Sequence, residues 1–429
     1  MVRNNKAIII GGGLLGVATF YELVSRDVET VLVDKETDVA RGTSYANGGV
    51  LHPSLPDPWN SPGIGRHLMA SLFDPNAPMK LHFSQAPYLI QWGLSFLRNS
   101  VPSRHVAITK ANFELAHYST RQTDALQQFL GLSFEHATPG SLKIFRNENE
   151  KRSAIELAEL LAQKGLKYQV LNRDALLALE PALAHATDEI SGALIFPDDL
   201  IGNARLFCER LAEEAVARGG IMRLGEAVDT LIMENGRVMG IRIGEEALYG
   251  DVILCAGVAS SALASPVGVK LPIRPAKGYS ITLDASALKG EGPRHPIIDA
   301  ALHIAVTPLG EKLRVLGMAE FMGDNLFLDP KRLAMLRGFF ERLLPEIGHE
   351  LDWDSAENWT GLRPMSSDGR PFIGASGVDG LWLNCGHGHL GWTKAVGSAR
   401  VISDIIMGKV PEIDAAPFSI DTARRHSLF

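Results

Sequence analysis

The stretch Lys6-Ala7-Ile8-Ile9-Ile10 runs without a break into Gly11-Gly12-Gly13-Leu14-Leu15-Gly16, and this Gly-x-Gly-x-x-Gly turn between a buried strand and a helix constrains the fold more than any other feature. Gly11 permits the tight turn, Gly13 lets the backbone approach a pyrophosphate, and Gly16 lets the helix pack closely on the strand. The helix N-terminus adds amide donors and a favourable dipole. A bare glycine pattern is weak evidence, but a strand before it and a helix after it predict a dinucleotide site. The helix from Leu14 to Ser25 and the strand Thr30 to Asp34 complete a βαβ unit. Asp34 stands 18 positions after Gly16 (34 − 16), where a carboxylate can take ribose hydroxyls. Read alone, this motif leaves NAD and FAD both open.

A chain of 429 residues exceeds one compact core and suits two connected domains. Its 46% hydrophobic content supports a large core, and its formal charge of −7 (42 − 49) with no basic run argues against a nucleic acid partner. The three cysteines, Cys208, Cys255 and Cys385, read as helical, strand-like and loop residues with neither disulfide nor zinc spacing. Met1 to Lys6 is polar and leads straight into the first strand, so no secretory signal is expected. No apolar run reaches the roughly 20 residues of a membrane span. The expected setting is the cytoplasm, with room for a peripheral contact on the inner face of the cytoplasmic membrane.

Residues 41–74 are rich in Gly, Pro, Ser and Asn and read as an ordered loop region, of the length that is usually functional. A helical pattern follows from Pro87 to Phe134, with Tyr88, Trp92, Leu94 and Phe96 as its first apolar face. Asn203 reads as the N-cap of a helix that Gly219-Gly220 ends. Alternation in Tyr279 to Leu283 and Leu302 to Val306 predicts antiparallel sheet. The expected fold is α/β: a Rossmann-like dinucleotide domain (1–86, 195–272 and 353–429) with an inserted α+β substrate domain (87–194 and 273–352) carrying an antiparallel sheet.

Five blocks then match one family in order: Arg41-Gly42-Thr43-Ser44-Tyr45-Ala46-Asn47-Gly48-Gly49, Cys255-Ala256-Gly257, Lys277-Gly278-Tyr279-Ser280, Gly361-Leu362-Arg363-Pro364, and Gly386-His387-Gly388-His389-Leu390-Gly391-Trp392-Thr393. The chain resembles the D-amino acid dehydrogenase small-subunit branch of the FAD-dependent amino acid oxidase family. That resemblance implies non-covalent FAD. Its adenine end would lie against Gly11, Gly13, Leu14, Leu15, Gly16, Asp34, Lys35 and Val228, with Arg41, Thr43, Ala256 and Gly257 nearby. Its ring would lie between the Ser44, Asn47, Gly48, Gly49 loop and the Gly388, His389, Leu390, Gly391, Trp392, Thr393 loop. There helix-terminal amides would meet the pyrimidine edge, where charge accumulates. Cys385 departs from the Thr commonly found before Gly-His-Gly in this family, yet the surrounding motif resembles the non-covalent branch.

Arg363 is the first candidate for chemistry, because a planar guanidinium matches a carboxylate bidentately. In the family the Arg of a Gly-x-Arg-Pro block grips the substrate carboxylate; the competing reading is a salt-bridged structural Arg. Tyr279 would give a second hydrogen bond, and Lys277, two residues away on the same strand face, would sit near the flavin edge. His52 is a candidate pocket residue. His387 and His389 lack the further ligands a metal needs, so no metal is expected.

The implied reaction is hydride transfer from the Cα of a D-amino acid or cyclic D-imino acid to flavin N5. The acceptor would be a quinone or a protein rather than oxygen, and further partner subunits are compatible with the resemblance. Alternatives are a glycine or sarcosine oxidase, an opine or proline dehydrogenase subunit of a hetero-oligomer, and a flavin-binding scaffold without turnover. The aromatic stretch Tyr88 to Arg98 reads as packing within the substrate domain, with membrane contact as its second reading.

Overall fold

Apolar runs from both ends of the chain meet in one sheet. The computed structural model describes residues 5–71, 74, 77–299, 301–302 and 304–421. Six strands lie in the order Phe372–Ala375, Leu381–Cys385, Asp251–Leu254, Lys6–Ile10, Glu29–Asp34 and Ile221–Leu224, all parallel but for the Phe372–Ala375 edge. Ala7, Ile8 and Ile9 are wholly buried, as befits a parallel strand covered on both faces. Helices Leu14–Val24, Ala204–Ala217 and Gly391–Ile406 supply one apolar layer. On the other face lies a core that includes Leu231, Val238 and Ile241 of a three-stranded antiparallel sheet over 230–249. The Asn203 side chain accepts from the Arg205 and Leu206 amides at 3.1 and 3.3 Å, the cap read from sequence.

A second, nine-stranded sheet roofs the cleft. Its main path runs Glu357–Ser366, Ile273–Asp284, Lys312–Phe321, Ile304–Leu309, Ile297–Asp299, Ser141–Phe145, Gly192–Phe196 and Gln169–Leu171, and Met79–Leu81 pairs with Lys312–Phe321. Most pairs are antiparallel, as the alternation predicts. The expected domain limits need three changes. Strand Glu357–Ser366, placed with the dinucleotide domain, is an edge of the roof sheet. Strand Gly192–Phe196 is cut by a limit at 195 but is continuous in that sheet. Helix Pro102–Leu130, placed with the substrate domain, buries Ala111, Leu115 and Tyr118 in the dinucleotide-side core. Against it runs Gly391–Ile406, so close that a Cβ on Gly397 would stand 2.6 Å from the Ser119 Cβ.

Other sequence expectations shift as well. Cys385 ends a strand rather than lying in a loop. The 41–74 region contains a short strand, Val50–Leu51, and a helix, Ile64–Ser71. In helix Ala86–Arg98, Trp92 and Phe96 are buried, but Leu94 is 51% exposed because 3.6-residue geometry turns it to the opposite face, and Tyr88, one turn before Trp92 at the start of the helix, is 69% exposed. Among the described residues no helix is long and apolar enough to cross a membrane.

The glycine turn is dictated by contact distances. Gly11 has φ +115°, and a Cβ there would lie 2.6 Å from the Cys255 carbonyl oxygen; one on Gly16 would lie 1.7 Å from the Gly11 oxygen. Gly42, by contrast, has open space around it. Gly11→Ala should therefore abolish soluble folded expression, whereas Gly42→Ala should stay within about 0.5 kcal/mol of wild type in denaturant unfolding. A well-folded Gly11→Ala protein would contradict the packing argument.

Candidate active site

Between the two sheets lies a cavity of about 1100 Å³ that runs from Asp34 to the underside of the roof. Its walls include Gly11, Gly13, Leu14, Leu15, Asp34, Lys35, Arg41, Thr43, Ser44, Asn47, Gly48, Val228, Ala256, Gly257, Gly388, His389, Gly391 and Trp392. Four expected cofactor contacts stand behind the wall instead. Gly16 is the packing contact of the first helix, Gly49 abuts Leu309, Leu390 is buried, and the Thr393 hydroxyl accepts from the His52 amide at 3.2 Å.

At the dinucleotide end, Asp34 accepts from the amides of Gly12 and Glu36, which holds its carboxylate against the glycine turn. The Ser44 hydroxyl accepts from the Leu14 amide at 3.1 Å. The following loop is clamped to the roof: Ser280 donates to the Ala46 carbonyl at 2.9 Å, Thr307 to Gly48 at 2.9 Å, and Arg314 to Asn47 at 3.0 Å. Across the cavity the backbone from Gly388 to Trp392 opens helix Gly391–Ile406, with Trp392 donating to the Gly202 carbonyl at 3.1 Å. A long cleft with glycine amides at one end, and a helix N-terminus facing a pinned loop at the other, fits FAD in length and donor chemistry. Cys385 is buried and absent from the wall, and burial pushes its thiol up to about 12, a poor setting for a covalent flavin link.

Arg363 projects from the edge strand of the roof onto Gly278, where even a methyl group would lie 2.2 Å from its Nη1. Nη1 donates to the Met318 carbonyl at 3.1 Å, and the guanidinium lies 5.6 Å from the Trp59 ring centroid. Among the described residues no carboxylate pairs with it, which removes the salt-bridged structural reading. Burial lowers its pKa to about 10, so it remains charged at neutral pH and faces the cavity uncompensated.

Tyr279 also faces the cavity, but its hydroxyl donates to Glu320 at 2.7 Å, and Glu320 is held in turn by Arg332 at 2.8 Å. Its proton is therefore committed, and the expected donation to a substrate carboxylate is corrected to a scaffolding contact. Lys277 shares its face with Tyr279, as parity requires, but is buried, donates to the Phe327 carbonyl and lies off the cavity wall. His52 does line the cavity; burial drives its pKa down to about 4, and its Nδ1 has no partner among the described residues. His389 stacks on Trp59 at 5.3 Å, and His387 pairs with Ser398 at 2.9 Å, so the two imidazoles have separate partners. No group of three metal-ligating side chains occurs among the described residues. His303 lies outside the described residues.

Sequence reasoning missed Trp59, whose ring touches both Arg363 and His389; its only signal was membership of a long loop. It also missed Lys394, wholly buried behind the cavity with its Nζ donating to Asn112 at 2.8 Å.

The model of the FAD dependent oxidoreductase family matches residues 6–405. The chain is 36% identical over 417 residues to a D-amino acid dehydrogenase of Cereibacter sphaeroides, covering 97% of this chain and 95% of that one. It is likewise 36% identical over 418 residues to a D-amino acid dehydrogenase of Rhizorhabdus wittichii, covering 97% and 99%. Among solved structures it resembles the L-proline dehydrogenase of P. horikoshii (TM-score 0.78, 15% identity, 99% of each chain). It also resembles the glycine oxidase of Bacillus cereus (TM-score 0.73, 21% identity, 94% of this chain and 95% of that one).

Burial pulls the Lys394 ammonium from 10.5 down to about 7, against the opposing charge of Asp368. From pH 7 to about 10 the unfolded chain holds that proton and the folded chain does not, so stability rises with pH across this window. The melting temperature should increase from pH 7 to pH 9, and Lys394→Met should flatten the rise. An unchanged slope in the variant would assign it to other groups.

Proposed function

The chain belongs to the FAD-dependent oxidoreductase family, and from that premise we propose that it oxidises a D-amino acid or cyclic D-imino acid at Cα and passes the electrons to a quinone or another non-oxygen acceptor. The observation that carries this reading is the unpaired Arg363 guanidinium facing the cavity. With one N–H on Met318, its remaining donors are free to take a substrate carboxylate, and Trp59 limits its swing. FAD, when bound, supplies the hydride acceptor. Gly11 to Leu14 and Asp34 would hold its nucleotide end, and the Ser44–Gly48 and Gly388–Trp392 segments its ring end.

The Tyr279–Glu320–Arg332 chain holds the strands beneath the substrate rigid. His52 and His389 are neutral at physiological pH and add no charge beside the reacting carbon. The amine must arrive uncharged, because its lone pair replaces the departing hydride's electrons. The resulting iminium then hydrolyses to a keto acid, or persists as a cyclic imine when the substrate is a ring amine.

The D-configuration rests on the curated relatives, since the shared fold also carries an L-proline dehydrogenase. A peripheral membrane contact is supported by Tyr88, Ile90, Leu94 and Leu97, all at least 46% exposed on one helix, together with the exposed Leu326 and Phe327. Leu326 is exposed and also lines the cavity, so an apolar side chain stands at an opening of the cavity, a placement that suits delivery of electrons to a membrane quinone.

Anaerobic titration with D-alanine, D-proline, cis-4-hydroxy-D-proline, sarcosine and the L-isomers should bleach the flavin band with D-amino or D-imino acids. A yellow protein bleached by none of them, nor by a D-amino acid with a longer side chain such as D-2-aminoadipate, would refute the substrate class. Arg363→Met should weaken substrate binding about a hundredfold, and Arg363→Lys about tenfold, with flavin retained. Unchanged flavin reduction in both variants would remove Arg363 from the site. Sedimentation with mixed neutral and anionic phospholipid vesicles should pull down the wild type. Replacing Tyr88, Ile90 and Leu94 with Ser should lower that partitioning about a thousandfold, at about 1.5 kcal/mol per side chain; a wild type that stays in the supernatant would exclude the contact.

A further inference from the structure

Beyond Arg363 the cavity continues across the underside of the roof. Trp359, Ser280, Leu316, Ala305, Ile298 and Lys143 are register partners in one row over six neighbouring strands, and all six face the cavity. The next residue in the row, Leu194, is buried in a separate core against Phe113 and Leu161. The row therefore ends in a cation.

Lys143 is half-buried, its ammonium lies 5.8 Å from the Phe145 ring centroid, and it has no ion-pair partner among the described residues. The nearest strand offers the carboxylate of Asp299, but that group is taken by Arg146 at 2.8 Å and by the amides of Ala301 and Leu302 at 3.0 Å. Asp57 faces the cavity too, without forming an ion pair with Lys143, and the charges of both reach His52. An ammonium without an ion-pair partner at the end of an otherwise uncharged row is a receptor for an anion.

Resting on the reading that Arg363 grips the α-carboxylate, we propose that Lys143 binds a second carboxylate at the far end of the substrate. The preferred substrates are then amino acids that carry a distal acid on the side chain or on an N-substituent. The span sets their length. The Arg363 guanidinium lies over Gly278 and bonds Met318 on the third strand of the row, and Lys143 is on the sixth. Three steps of about 4.8 Å make about 14 Å, which the lysine stem shortens. An alanine-sized substrate cannot bridge that distance, whereas one with several carbons between its acids does.

The test uses FAD-loaded enzyme and unreactive ligands, followed through the flavin spectrum. Adipate and pimelate should bind about tenfold tighter than hexanoate and heptanoate, since a charge-assisted bond is added. Lys143→Met should erase the difference without weakening the monocarboxylates, and Lys143→Arg should keep it. Equal affinities in the wild type, or a Lys143→Met variant that weakens both classes alike, would overturn the proposal. A reductive arm compares D-2-aminoadipate with D-norleucine. If neither reduces the flavin while the dicarboxylate preference holds, the amino acid oxidation reading fails and the Lys143 site stands. If both reduce it with equal efficiency in wild type and Lys143→Met, the Lys143 proposal alone fails.

Discussion

Three hydrogen bonds from the roof sheet to consecutive carbonyls hold the site together: Ser280 to Ala46, Arg314 to Asn47 and Thr307 to Gly48. They tie a loop that leaves the dinucleotide sheet to three neighbouring strands of the other sheet, and so set the height of the cleft between them. Arg314 is almost wholly buried, which makes its bond costly to leave unmade. Thr43 adds a fourth tie, donating to the Leu362 carbonyl at 2.7 Å beside Arg363. The cofactor loop and the carboxylate-binding strand are thus positioned against each other before any ligand arrives, which is the condition for orienting a reacting carbon.

The electrostatics of the cleft follow from what is paired and what is not. Asp299, Glu320 and Asp34 are each engaged by protein donors, and the imidazoles of His52, His387 and His389 are held neutral by burial. Arg363 and Lys143 remain as cations without an ion-pair partner among the described residues. With Asp299, Glu320 and Asp34 engaged and the guanidinium free of any carboxylate, the roof end of the site is suited to an anionic ligand.

Likeness of fold is a weaker guide to substrate than this pairing pattern. The same architecture carries glycine oxidase, L-proline dehydrogenase and glycerophosphate oxidase, enzymes named for donors that differ in chemistry. In this chain the roof over the cavity is lined by a row of uncharged residues, Trp359, Ser280, Leu316, Ala305 and Ile298, that ends in Lys143.

The sequence by itself determined the local features: the strand, glycine turn and helix at 6–24, the Asn203 cap, the alternating strands of the roof, and Arg363 as the residue to examine first. Each is legible because it depends on periodicity, on the absence of a Cβ or on a short motif, all of which act between near neighbours. The tertiary structure decided the rest. Which strand pairs with which is set by burial across hundreds of residues, and register then selects every side-chain partner. That is why the Tyr279 proton went to Glu320, why Lys277 left the cavity, and why Gly16, Gly49, Leu390 and Thr393 stand behind the wall. It is also why Trp59 and Lys143, unremarkable in sequence, face the same cleft as Arg363.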